Sequence, residues 1–263
     1  MTGSSTLALT SAPAIRTVGL TRRFGQATAV ADLDLTVPRG TVSALLGPNG
    51  AGKSTTVRLL TTLSRPTAGT VEVLGIDLAL DPDAVRRRIG VVAQGSGADP
   101  GATGRENLWL QGRLHGIARR ALRPRVDALL EQVGLANAAD RLTRGWSGGM
   151  RRRLDLAMAL VGQPDVLFLD EPTVGLDPEI RRDLWILLGR MVREDGLSVL
   201  LTTHHLDEVE ALADHVTIID QGRVVATGTP AALRQQVNGS LEQAYLAAIS
   251  APSLSGSTSA LSG

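Results

Sequence analysis

Several things are scarce in this chain of 263 residues, and each scarcity removes a class of function. Cysteine is absent, so there is no disulfide framework, thiol nucleophile or thiolate metal site; that suits a cytosolic protein without requiring one. Two Phe, three Trp and one Tyr are too few for the stacking platforms that track single-stranded nucleic acid. A net charge of +1, from 27 basic and 26 acidic residues, gives no broad attraction to a polyanion, and we expect no nucleic-acid partner. No apolar run approaches the roughly 18 residues needed to cross a bilayer. Residues 1–12, rich in Ser, Thr and Ala, lack the basic start and apolar core of a secretory signal. If the chain works at a membrane, another polypeptide must supply the spans. The rest is ordinary: 43% hydrophobic and 20% charged residues suit one large α/β domain, or one domain carrying an inserted subdomain.

Lysine is the most informative scarcity. Of the 27 basic residues only Lys53 is lysine. It lies in Gly47-Pro48-Asn49-Gly50-Ala51-Gly52-Lys53-Ser54-Thr55, the full G-x-x-x-x-G-K-[ST] spacing of a phosphate-binding loop. A chain that otherwise uses Arg has kept a compact ammonium where a broad guanidinium fork would not pass between phosphates. The glycines let backbone N–H groups turn onto an anion, Lys53 reaches the β- and γ-phosphates, and the Ser54 hydroxyl ligates Mg²⁺. Thr41–Leu46 reads as the buried strand before the loop, and Lys53–Leu63 as the helix after it. This is a nucleoside-triphosphate site.

Elsewhere, Ile15–Leu20 and Asp32–Val37 read as strands, as do Thr70–Leu74 and Ile89–Val92, with a short helix over Pro82–Arg88. Residues 95–162 change to Arg- and Leu-bearing helical patterns, expected as an insertion between two halves of a sheet. Val166–Leu169 is a continuous apolar run, as a parallel strand covered on both faces requires. Helix (Pro178–Met191), strand (Ser198–Thr202), helix (Leu206–Leu212) and hairpin (Val216–Gly228) follow, implying a mostly parallel sheet with helices on both faces.

Four more stretches narrow the chemistry. Asp170 and Glu171 end the apolar strand, where open α/β sheets bind ligands. Asp170 is placed to hold Mg²⁺ directly or through water. Glu171 serves as general base or orients the attacking water. Trp146-Ser147-Gly148-Gly149-Met150 precedes a helical stripe of Leu154, Ala157, Met158 and Val161, making a second anion site at a helix start. One chain with two phosphate-binding loops but a single lysine implies that the second loop serves a nucleotide held by another subunit. Thr173–Pro178 leads from Glu171 into the next helix. His204, at the end of the strand Ser198–Thr202, occupies a position that points back at a γ-phosphate, while His205 starts a helix. The runs Arg86–Arg88, Arg119–Arg120 and Arg181–Arg182 read as solvated faces. Arg151–Arg153 opposes the dipole of its own helix, a conflict that a phosphate or acid nearby would relieve. Trp109 and Trp185 are expected in the core.

In this order, over about Ile15 to Leu246, these stretches closely resemble the nucleotide-binding subunit of ATP-binding-cassette (ABC) transporters. The resemblance implies a P-loop NTPase fold of ABC ATPase type: a mixed sheet core, an antiparallel β subdomain and an inserted α-helical subdomain. It implies an ATPase domain over 13–230 with the helical part at about 95–162 and a helical extension over 231–250; from composition we expect disordered segments at 1–12 and 251–263. It implies ATP and Mg²⁺, with Gly47 to Thr55, Ser147, Gly148, Gly149 and Asp177 as nucleotide contacts, and Ser54, Asp170 and Gln94 around the metal. Gln94, in Val91-Val92-Ala93-Gln94, also meets the membrane partner, and Phe24 stacks on adenine. It further implies an ATP-bound homodimer, a separate integral-membrane permease, and a place on the cytoplasmic face of the membrane. The signature departs from the common LSGGQ at Trp146 and Met150. Together with Arg151-Arg152-Arg153-Leu154-Asp155-Leu156 it looks like the daunorubicin/doxorubicin-resistance type of drug exporter ATPase, which implies export of a drug, antibiotic or other hydrophobic compound. The alternative is a soluble ABC-type ATPase of translation or DNA repair; those usually carry two cassettes, a coiled-coil insertion or a zinc module.

Overall fold

The computed structural model describes residues 12–250, so the disorder expected of 1–12 and 251–263 lies outside the described residues, Ala12 excepted. The N-terminal strands β1 (Ile15–Phe24) and β2 (Ala27–Val37) form a hairpin, longer than the two short strands expected because the pairing continues to the turn at Gly25 and Gln26. Then come β3 (Val42–Leu46), α1 (Lys53–Leu60), β4 (Ala68–Val73), β5 (Ile76–Asp77), α2 (Pro82–Arg86) and β6 (Ile89–Val92). Three helices occupy the next stretch: α3 (Gly104–Leu114), α4 (Arg119–Gln132) and α5 (Gly148–Leu160). The chain then runs β7 (Val166–Asp170), α6 (Pro178–Asp195), β8 (Ser198–Thr203), α7 (Leu206–Leu212), β9 (His215–Asp220), β10 (Arg223–Gly228), α8 (Pro230–Val237) and α9 (Leu241–Ser250).

The strands make two sheets. One has four antiparallel strands in the order β2-β1-β4-β5; the other has six, in the order β10-β9-β3-β8-β7-β6. Within the larger sheet β9, β3, β8, β7 and β6 run parallel and only β10 is antiparallel. The apolar run of β7 shows why. Side chains alternate across a strand, so Val166 and Phe168 enter the core shared with the antiparallel sheet and α1. Leu167 and Leu169 enter the core shared with α5, α6 and the inserted helices. A strand buried on both faces needs no polar residue until it ends, and in β7 the first is Asp170.

Parallel pairing brings the strand ends to one edge. Leu46 pairs with Thr203, Asp170 with Thr202, and Val92 with Leu169. The segments leaving these four strands therefore emerge side by side. Each is one of the stretches singled out in the sequence.

The helices are set by local chemistry. Thr103 and Glu106 form a reciprocal capping box at α3, Ser147 caps α5 by accepting the Met150 N–H at 3.2 Å, and α6 ends on Gly196 in the left-handed conformation. Trp146 is buried against Gly104, where no side chain would fit. Trp109 and Trp185 are only half buried, correcting the expectation of core positions. Arg119 stacks over the Trp109 ring at 5.8 Å, and Trp185 Nε1 donates to Glu208 Oε1 at 3.2 Å. Helical spacing places a residue on the inward side without deciding whether its polar edge meets a partner there. The arginines expected on solvated faces are partly engaged: Arg88 pairs with Asp165 at 2.9 Å and Arg181 with Asp207 at 3.0 Å.

Candidate active site

The phosphate loop is a backbone structure braced from behind. Gly52, with φ of 102°, takes a conformation open to glycine, and a Cβ there would lie 2.5 Å from the Ala29 carbonyl of β2. The turn between β9 and β10 closes the other side, the Gly222 N–H donating to Ala51 O at 2.9 Å. Lys53 follows at the first position of α1. Its side chain is buried, and Nζ donates to the carbonyls of Gly47 and Pro48 at 2.8 and 3.0 Å. Burial pulls the Lys53 pKa below its ordinary value, opposed by the carboxylates of Glu171 and Asp170. A cation held short of water is one that an anionic ligand stabilises strongly.

Glu171 joins the motifs. Its Oε1 lies 3.6 Å from Lys53 Nζ and 3.2 Å from His204 Nδ1, and its Oε2 accepts from Gln94 Nε2 at 3.2 Å. Residues up to 118 positions from Glu171 in sequence thus converge on its carboxylate. Its backbone has φ of 48°, the left-handed region that costs a non-glycine residue about 1–3 kcal/mol. The Glu171 N–H donates to both Thr202 O and Thr202 Oγ1 at 3.1 Å. Asp170 beside it accepts from Thr202 Oγ1 at 2.6 Å and Ser54 Oγ at 3.1 Å. A hydroxyl and a carboxylate adjacent at the phosphate loop form a hard oxygen pair of the kind Mg²⁺ uses together with phosphate oxygens and water. The described residues hold no cluster of three His, Cys, Asp or Glu that would cage a metal alone. The Ser54–Asp170 pair fits a cation whose remaining ligands are phosphate oxygens and water.

The remaining expected residues lie around this centre. Phe24 is 53% exposed near the tip of the β1–β2 hairpin, with the Arg22 guanidinium 4.5 Å from its ring centroid. Ser147 and Gly148 are exposed, and no hydrogen bond or ion pair among the described residues joins Ser147–Met150 to the phosphate loop. The helix start packs instead on the segment after Glu171. Gly148 faces Leu176, and a Cβ on Gly149 would lie 2.6 Å from Ile180 Cγ2. Asp177, exposed, precedes α6 without capping it.

Three polar residues escaped the sequence reading. Thr202 looked like one more strand residue. Asp155, buried on α5, accepts from Ser96 Oγ and the Gly97 N–H at 2.9 and 3.0 Å. Arg152 is buried among carbonyls of the strand ends; the conflict noted for Arg151–Arg153 is relieved by backbone carbonyls, with Arg151 donating to Trp146 O at 2.5 Å. The signal was present as a cation opposing a helix dipole, but its partners were not.

A family model described as ABC transporter matches residues 30–174. That span holds the loop, both carboxylates and the Ser147-Gly148-Gly149 helix start. The chain belongs to the ABC transporter family. Among its relatives is the daunorubicin/doxorubicin resistance ATP-binding protein DrrA of Streptomyces peucetius, 50% identical over 228 residues, 87% of this chain and 69% of that protein. The Nod factor export ATP-binding protein I of Ralstonia nicotianae is 44% identical over 84% of this chain and 68% of that one. In structure, an ATP-binding subunit of an ABC transporter superposes with a TM-score of 0.80 at 28% identity, covering 89% of this chain and 99% of that chain. The dimeric bacterial ABC transporter cassette MJ0796, in a post-hydrolysis state with ADP and Pi, gives a TM-score of 0.74 at 26% identity, covering 82% of this chain and 98% of that one. The fold is that of an ABC ATPase, and this ABC chain is an ATP-binding, ATP-hydrolysing subunit of a transporter. No helix of the described residues is long and apolar enough to cross a membrane.

Proposed function

We propose that this ABC ATPase powers export of a drug, antibiotic or other hydrophobic compound through a separate membrane permease, on the cytoplasmic face of the membrane. The observation that carries the catalytic part is the convergence of Lys53, His204 and Gln94 on the Glu171 carboxylate. In this reading ATP lies along Gly47–Thr55 with its adenine on Phe24, and Lys53 exchanges its loop carbonyls for the β- and γ-phosphates. Ser54 and Asp170, with Gln94, hold Mg²⁺, which neutralises charge on the phosphate oxygens when bound. Glu171 takes the proton of the attacking water or fixes its direction, and His204 steadies the terminal phosphate.

The Ser147-Gly148-Gly149 start of α5, exposed at Ser147 and Gly148 and with Asp177 next in sequence to the Leu176 it packs on, serves the nucleotide of a second copy, so that ATP closes a head-to-tail dimer. That the MJ0796 cassette is dimeric supports a pairing of two copies. A groove of about 400 Å³ beside Gln94, walled by Leu63, Arg86, Gln111, His115 and Met158, is the place for the permease. Export of a drug-like compound is supported by the kinship with the resistance and Nod factor export proteins.

The test is Glu171→Gln. Hydrolysis, read by phosphate release, should fall by about 10²–10⁴-fold, the contribution of a positioned acid–base group, with nucleotide affinity kept and an ATP-dependent dimer accumulating on size exclusion. Hydrolysis at the wild-type rate would remove Glu171 from this role. For the cargo, membrane vesicles carrying the chain and its permease should pump an anthracycline only with ATP.

A further inference from the structure

We propose that Arg152, on the signature helix, is a positioning residue for the catalytic edge: it holds Glu171 in its unfavourable backbone conformation and sets Gln94 beside it. The inference rests on the ATPase reading above and deepens it. Arg152 lies one turn into α5, 8% exposed, and spends its whole guanidinium fork on main-chain oxygens. Nε donates to Pro172 O at 2.8 Å, Nη1 to Ala93 O at 2.6 Å, and Nη2 to Asp170 O and Glu171 O at 3.2 and 3.3 Å. Three consecutive carbonyls at the end of β7, from Asp170 to Pro172, and the one preceding Gln94 thus share one cation.

That pattern answers a specific problem. Glu171 turns its side chain onto Lys53, His204 and Gln94 through a left-handed backbone (φ 48°), which persists only where neighbours over-determine it. Thr202 grips the peptide from its N–H side. Arg152 grips it from its carbonyl side. One helical turn further along, Asp155 takes the Ser96 hydroxyl and the Gly97 N–H through a single oxygen, so α5 holds the Gln94 loop both before and after Gln94. The helix whose start awaits a second copy's nucleotide is thereby pinned to the backbone that carries Glu171 and to a wall of the groove beside Gln94. A displacement of α5 on dimer closure moves Glu171 and Gln94 with it.

The planar fork is the requirement, since a lysine ammonium has one donor centre and cannot span four carbonyls in this geometry. The experiment uses the full chain with Mg-ATP and the variants Arg152→Lys, Gln94→Ala and the double. Arg152→Lys should lower kcat at least 10-fold while KM for ATP and affinity for ADP stay within about 3-fold. The double variant should be no slower than the slower single, because both changes disturb one arrangement. A wild-type kcat in Arg152→Lys would overturn the proposal. So would losses that multiply in the double variant, or ADP affinity falling in step with kcat, which marks a general scaffold residue. Glu171→Gln measured alongside separates the failures: an inactive Glu171→Gln with an active Arg152→Lys sinks only this inference, and an active Glu171→Gln sinks the reading beneath it.

Discussion

The two anion-directed regions of this chain are built in opposite ways. At the sheet edge Lys53, Gln94 and His204 already meet Glu171, and Ser54 and Thr202 meet Asp170, with distances of 2.6 to 3.6 Å across four segments. At the start of α5, Ser147 and Gly148 stand exposed, and the serine hydroxyl makes one bond, to the Met150 N–H. The first region is assembled by folding. The second is only aimed by folding, its glycine amides belonging to the helix start that α-helices leave unsatisfied. On the proposed reading, nucleotide binding belongs to the single chain and nucleotide-dependent closure to two copies.

The strongest way to break the contrast is at Lys53. Lys53→Ala should weaken ATP binding by about 100-fold or more, roughly 3 kcal/mol of charge-assisted bonding, measured on the monomer with a fluorescent nucleotide. Unchanged affinity would mean that the loop is not the site. Next is Gly149→Val, which forces a branched side chain against Ile180. Overpacking of this kind costs about 1–3 kcal/mol, seen as a lower denaturation midpoint, and should abolish ATP-induced dimers with monomer affinity intact. Ser147→Ala is milder: loss of the cap costs about 1 kcal/mol, and sedimentation should report weaker dimerisation without weaker monomer binding. If Ser147→Ala instead weakens ATP binding by the monomer, the division between the two regions fails.

The smallest effect is read from pH. Burial raises the pKa of Glu208 above its ordinary 4.5, against the hydrogen bonds that lower it. The folded chain therefore keeps a proton that the unfolded chain has released, and this contribution to stability is lost as pH rises from that value through the folded-state pKa. Glu208→Gln, which keeps a polar group beside Trp185 Nε1, should gain stability relative to the parent over that rise and then run level. A constant difference at every pH would show that Glu208 does not titrate on unfolding.

How much of this was legible in the sequence depends on how local the signal is. The phosphate-loop spacing could be read because it lies in nine adjacent residues, and β7 because a strand covered on both faces has no reason to alternate. The convergence on Glu171 followed from parallel strands sharing an edge. Arg152 could not be read in this way. Its acceptors are main-chain oxygens 18 to 59 residues away, and a carbonyl has no letter in a sequence. Trp109 and Trp185 misled for a related reason, since their positions on helices are periodic but the Trp109 ring face answers to Arg119 and the Trp185 N–H to Glu208 across tertiary contacts.

The solitary lysine has a practical consequence. With every other cationic side chain a guanidinium, acylating or reductively alkylating reagents find a single ε-amine, and it sits beneath the Gly47 and Pro48 carbonyls. One mass increment on one peptide would thus act as a gauge of how often that cradle opens, and its suppression by added nucleotide would give occupancy without any engineered label.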